Sequence, residues 1–198
     1  MFRPDGSTRT TEGWHRHGPS AQASPLISAK LANPGHADIL DAIRATSLRH
    51  AQNRALGPVG LDAEDWHALF RALIEAESAY RPAAMSPKGA FGLGQLMPET
   101  ARALGIDRRD IAQNLDGSAR YLLSQLEAFA DIDHALAAYN AGPHRVIRYG
   151  GVPPFPETHR YIARIHNIRA RVSARTSPRP AQGALIPPGR TAVVLGLD

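Results

Sequence analysis

Asp62-Ala63-Glu64-Asp65-Trp66-His67-Ala68-Leu69-Phe70-Arg71-Ala72-Leu73-Ile74-Glu75-Ala76-Glu77-Ser78 decides how this chain folds. Asp62, with Asp65 three residues on, is a good N-cap, so a helix opens there and runs to about Ser78. At ~100° per residue, Trp66, Phe70, Leu73 and Glu77 fall within about 60° of one another. Glu75 points nearly opposite, beside Glu64 and Arg71, and an ordinary i,i+4 pair on the solvated face is expected for it. Glu77 shares the apolar stripe. A carboxylate there is costly unless it is neutral, paired or functional. Burial and the negative end of the helix dipole both disfavour its charged form and raise its pKa. A carboxylic acid protonated near neutrality is what general-acid catalysis of a poor leaving group requires. A glutamate satisfied by a buried arginine fits this helix equally well.

Downstream, Pro82 shuts the helix and Ser86-Pro87-Lys88-Gly89-Ala90-Phe91-Gly92-Leu93-Gly94-Gln95-Leu96-Met97-Pro98 forms a loop. Its glycines permit tight turns and close backbone approach to a ligand. The order G-x-x-G-x-G is wrong for a dinucleotide loop, and no strand precedes it. No Asp or Glu occurs in the loop before Glu99. Backbone amides, a serine, a glutamine and apolar side chains suit an uncharged sugar polymer better than a phosphate. A glycosidase normally needs two carboxylates. With no second one in the loop, either the N-acetyl group of a substrate assists or a distant residue supplies the partner.

Helical periodicity continues on both sides. Ile39, Leu40, Ile43 and Leu48 mark a first helix, closed before Gly57-Pro58. Pro98 opens another that ends at Gly105. Leu115, Leu122, Leu126 and Phe129 form a stripe with Asn114 as its expected N-cap. Ile132, Leu136 and Tyr139 form a shorter one, stopped by Gly142-Pro143. Pro143–Tyr149 is a brief helix. Glu157 starts the last, with Tyr161, Ile165, Ile168 and Val172 on one face. No segment alternates long enough for a strand, and loop 86–97 is the one place for short ribbon. The expectation is a single, mainly α domain over residues 36–173. A flexible N-terminal tail is expected at 1–35 and a proline-rich flexible C-terminal tail at 174–198.

Composition agrees with one domain and excludes several chemistries. The 198 residues carry 23 Lys+Arg and 18 Asp+Glu, a net charge of +5, and no cysteine. Disulfides, Cys-ligated zinc and thiol nucleophiles are therefore out. His15 and His17 lack a third ligand, so neither metal nor cofactor is expected. No apolar run approaches the ~20 residues of a membrane span. The N-terminus shows no apolar core of a secretory signal; its longest apolar run is Pro25–Ile27. Only Lys30 and Lys88 are lysines, and the remaining cations are arginines, whose planar forks suit carboxylates or phosphates. No basic cluster is interleaved with aromatics, which argues against nucleic acid.

Five segments in order give the chain a resemblance. They are Glu77-Ser78 followed by Tyr80-Arg81-Pro82, then Ser86-x-Lys88-Gly89-Ala90-x-Gly92-Leu93-x-Gln95-Leu96-Met97-Pro98-x-Thr100-Ala101, then Asn114-x-x-Gly117-x-x-Tyr121-Leu122. Ala137-Ala138-Tyr139-Asn140-Ala141-Gly142-Pro143 and Pro156-Glu157-Thr158-x-x-Tyr161 complete the set. Over roughly residues 70–170 the chain resembles the lytic transglycosylases related to soluble lytic murein transglycosylases and goose-type lysozymes.

The resemblance implies an α+β lysozyme-like, mainly helical domain whose glycine-rich loop lines a sugar groove. It implies cleavage of the MurNAc–GlcNAc β-1,4 bond of peptidoglycan glycan strands, with Glu77 as the single acid/base and a 1,6-anhydro product. A hydrolytic muramidase and a non-catalytic glycan-binding module are the alternatives. Ser86, Gln95 and Met97 match positions that line the groove. Tyr139 and Asn140 match the motif closing its far side, and Glu157 and Tyr161 complete or brace it. Action in the periplasm or cell envelope follows from such a substrate, and a secretion, conjugation or flagellar assembly is a setting the family admits. Gly94 stands where a methionine is common, which would remove an apolar side chain from the groove. His159 stands where an arginine is usual.

Overall fold

The Trp66 stripe lies at the centre of the fold. In the computed structural model, which describes residues 34–176, Trp66, Phe70 and Leu73 are fully buried. The expected tails, with His15, His17 and Pro25–Ile27, lie almost wholly outside the described residues. The stripe belongs to α2 (Ala63–Ser78), whose N-cap Asp62 accepts from the Asp65 amide at 2.8 Å. The helix ends where Ala79 and Tyr80 turn left-handed, at φ 49° and 63°.

Around α2 stand six further α-helices among the described residues: α1 (His36–Arg49), α3 (Pro98–Leu104), α4 (Ile111–Phe129), α5 (Ile132–Ala141), α6 (Pro143–Tyr149) and α7 (Pro156–Thr176). α7 and α1 both pack against α2, and α5 joins α4 to α6 and α7. The expected helices are all present, and the described residues are mainly helical. The α1–α2 seam is polar as well as apolar. The Trp66 indole donates to the Ser47 carbonyl at 3.0 Å, and the Ser47 hydroxyl meets His67 Nδ1 at 2.8 Å. Ile165, Ile168 and Val172 of α7 and Leu115, Leu122 and Leu126 of α4 join the same core.

The short ribbon expected in the glycine loop is present in minimal form: Phe91 makes antiparallel bridges to Met85 and to Leu96. Three local expectations need correction. Leu48 is 52% exposed, because it lies five residues, about 140°, from Ile43 and faces away from the core. Asn114 is not an N-cap: α4 starts earlier, at Ile111, with Asp110 capping the Gln113 amide at 2.8 Å. The last helix starts at Pro156 and continues to Thr176.

Candidate active site

Glu77 occupies the last turn of α2, where the apolar stripe brings it inward. Its carboxylate Oε1 accepts a hydrogen bond from the Tyr161 hydroxyl of α7 at 2.5 Å. The carboxyl is partly buried, and that burial pushes its pKa up to about 7. The Tyr161 hydrogen bond and the charge of Arg164 act in the opposite direction, and burial outweighs them. Among the described residues no arginine forms an ion pair with Glu77, so the buried-arginine alternative does not describe this site. No second carboxylate is among the groups that perturb its ionisation.

Glu75, two residues earlier, has different surroundings. It accepts from the Tyr80 hydroxyl at 2.8 Å and pairs with Arg171 of α7. Burial pushes this carboxyl up, but the hydrogen bonds from Tyr80 and Arg171 prevail and hold it below the usual range. The expected i,i+4 pair with Arg71 is indirect: Arg71 Nε donates to the Tyr80 hydroxyl at 3.2 Å. Tyr80, brought back by the left-handed turn after α2, takes the place that Arg71 was expected to fill.

The glycine loop is held by side chains that reach it from α4 and the segment before it. Asn114, buried within α4, donates from Nδ2 to the carbonyls of Phe91 at 3.0 Å and Arg108 at 2.9 Å, and accepts from the Gly94 amide at 2.9 Å. Arg108 Nη1 donates to the carbonyls of Gly89 and Leu96. Gly92 is left-handed, and a Cβ there would lie 2.3 Å from Asn114 Nδ2. At Gly94 a Cβ would lie 1.8 Å from Ser118 Oγ and 3.2 Å from the Tyr139 hydroxyl. A side chain at 94 in this backbone would therefore start into the packing beneath the loop.

The remaining expected site residues fall into three places. In the loop, Ser86 Oγ accepts from the Ala90 amide at 3.0 Å. Gln95 is left-handed at φ 49°, and its amide nitrogen donates to the carbonyls of Ala84 and Gly92, both at 2.9 Å. Its two N–H groups are thus spent on the loop, which leaves the amide oxygen as acceptor. Met97, 37% exposed, precedes α3.

Beneath the loop, the Tyr139 hydroxyl donates to the Gly94 carbonyl at 2.8 Å, and its ring lies 5.0 Å from that of Tyr121. Burial first, then the charge of Glu77, push the Tyr139 phenol far up, and Tyr161 is raised in the same way. Both remain protonated donors at neutral pH. Asn140 and Glu157 line a separate recess of about 250 Å3 with Lys88, Arg145, Phe155 and Thr158. There the Thr158 hydroxyl donates to Asn140 Oδ1 at 3.0 Å, and Glu157 is exposed at the rim. Glu77 is not part of that recess wall. No group of three or more His, Asp or Glu that could hold a metal occurs among the described residues.

A helical lobe in which Tyr139 links one partly buried carboxyl to a glycine-rich loop matches the lysozyme-like fold of its relatives. Residues 60–162 match the family described as the Transglycosylase SLT domain, and the chain belongs to that family. It is 38% identical over 78 residues to the "Transglycosylase" of Enterobacteria phage PRD1, covering 39% of this chain and 29% of that protein. It is 33% identical over 140 residues to the "Membrane-bound lytic murein transglycosylase F" of Shewanella pealeana, covering 65% of this chain and 29% of that protein. Among solved structures it resembles an inactive mutant of the lytic transglycosylase Slt from Pseudomonas aeruginosa, with a TM-score of 0.55 and 30% identity. That match covers 69% of this chain and 25% of the other. The 70 kDa soluble lytic transglycosylase of Escherichia coli matches at a TM-score of 0.50 and 27% identity, over 58% of this chain and 22% of that one. The chain thus spans less than a third of each of these relatives.

Proposed function

We propose that this protein is a peptidoglycan lytic transglycosylase in which Glu77 is the only catalytic carboxyl. The observation that carries the proposal is the Glu77 environment: a partly buried carboxyl with a pKa near 7, held by Tyr161, with no second carboxylate among the groups that perturb it. At neutral pH a large fraction of Glu77 is protonated, as a general acid must be.

The neutral acid donates its proton to the β-1,4 glycosidic oxygen, and GlcNAc leaves as the alcohol. The N-acetyl carbonyl of MurNAc supports the positive charge at C1 in place of a protein nucleophile. The Glu77 carboxylate then takes the proton of the C6 hydroxyl as that oxygen bonds to C1. The products are a free GlcNAc end and a 1,6-anhydro-MurNAc end, and no water is consumed. Tyr161 stays protonated and orients Glu77 through both transfers. Ser86, Gln95 and Met97 line the groove near the reacting sugar, Tyr139 holds the loop at Gly94, and Asn140 and Glu157 bind the strand further along. The site of action is the periplasm or cell envelope, where the polymer lies.

Digestion of purified peptidoglycan by wild-type and Glu77→Gln protein, followed by mass spectrometry, tests this. Anhydro ends that vanish in the variant are expected. Reducing ends would make the protein a muramidase instead, and an absence of wild-type products would make it a glycan-binding module.

A further inference from the structure

The recess around Asn140 belongs to the proposed glycan groove, but a second one does not. A shallow hollow of about 480 Å3 lies between α2 and α7, lined by Arg160, Arg164, Asn167 and Arg171 with Glu75 opposite. On α7 these four positions are spaced i, i+4, i+7 and i+11, so they form a stripe about 60° wide. Arg171 is committed to Glu75. Arg160 and Arg164 are exposed, and neither has an ion-pair partner among the described residues. Two free guanidinium groups one turn apart, followed by an amide one turn further, remain in a hollow large enough for a peptide segment.

The hollow opens on the Glu75 side of α2, and α7 links it to the proposed chemistry. Arg164 is close enough to Glu77 for its charge to act on that carboxyl, and Tyr161, one turn before it, holds Glu77 directly. We infer that this stripe is a subsite for the carboxylates of peptide side arms carried by the glycan polymer. The inference rests on the transglycosylase proposal above. Arginine forks match carboxylates in a bidentate manner. A phosphate polymer that presents bases would need stacking aromatics, and the hollow has none on its walls. A neutral sugar strand would make little use of two free cations. The glycan therefore runs past Glu77 while its peptide arm leans onto α7, with Arg160 and Arg164 reading acidic groups and Asn167 reading a peptide amide.

The test compares initial rates on intact peptidoglycan with rates on glycan strands whose peptides have been removed by an amidase. Arg160→Gln should lower the ratio of the two rates roughly 10-fold, the value of one charge-assisted hydrogen bond. Arg160→Glu should lower it further. A second arm titrates the released acidic peptide into the wild-type protein and follows the guanidinium NMR signals of Arg160 and Arg164, which are expected to shift. An unchanged ratio, an equal fall on both substrates, or unmoved guanidinium signals would overturn the subsite. Displacement of the peptide by equimolar DNA would also overturn it. If the wild-type protein cuts neither substrate, the transglycosylase proposal fails, and the titration alone decides whether the peptide binds.

Discussion

Glu75 and Glu77 stand two residues apart on one helix and have opposite electrostatics. Glu75 looks outward into Tyr80 and Arg171, which hold it ionised, with a pKa below the usual range. Glu77 looks inward, has one phenolic hydrogen bond, and is raised to about 7 by burial. The helix supplies both carboxyls at the same cost in sequence. What separates them is about 200° of rotation and the residues that α7 sets against each face. A carboxyl becomes an acid for chemistry at pH 7 where it is desolvated faster than it is paired.

The sharpest way to break this comparison is to neutralise each glutamate in turn. Glu77→Gln is expected to lower the rate of bond cleavage by ~10^3-fold or more, while Glu75→Gln leaves it within about 3-fold. Anhydro-muropeptide release followed over time measures both.

A second break leaves the carboxyls intact and frees the loop. Asn114→Ala strands the Gly94 amide and the carbonyls of Phe91 and Arg108. A loss of about 3 kcal/mol in urea unfolding is expected, together with reduced activity.

Stability against pH sharpens the contrast further. Glu77 has its folded pKa raised above the unfolded value, so its contribution is full below about pH 4.5 and is lost as pH rises through about 7. Glu77→Gln should therefore be near neutral at pH 4 and more stable than wild type at pH 8, by up to about 3 kcal/mol. Glu75 has the reverse sign. Its pKa is depressed, so its stabilisation is present above the unfolded value and fades as pH falls through the folded one. Glu75→Gln should cost about 1 kcal/mol at pH 7 and less at pH 3. Denaturant titrations at these pH values measure both.

The smallest effect is a shift of the pH profile. Tyr161→Phe removes the hydrogen bond that opposes the rise of Glu77, so the limb where activity falls with increasing pH should move to higher pH. A limb that stays in place would show that Tyr161 does not act on the titrating group.

The inward turn of Glu77 was legible because it depends only on period and on the cap at Asp62. The helices and the brief ribbon at Phe91 were legible for the same reason, since each rests on local stops or spacing. What was not legible was pairing across the chain. Tyr161 reaches Glu77 over 84 residues and Arg171 reaches Glu75 over 96. Asn114 has the look of a cap in sequence, and its grip on the loop 20 residues away appears only when α4 is laid beneath it. The close approach of Ser118 to Gly94 is likewise invisible in the sequence around either residue. Side chains that serve another segment leave no periodic trace in their own.

The hydrogen bond from Tyr161 to Glu77 also sets a clock on synthesis. A ribosome makes Glu77 early and α7 last among the described elements. A nascent chain halted before Pro156 would lack Tyr161, the arginines of α7 and the wall that dries the carboxyl. Its Glu77 would be less desolvated and would hold its proton less tightly at neutral pH. On the proposed function, the acid would thus gain its proton only when the final helix docks, and an unfinished chain would carry the carboxyl without its poise.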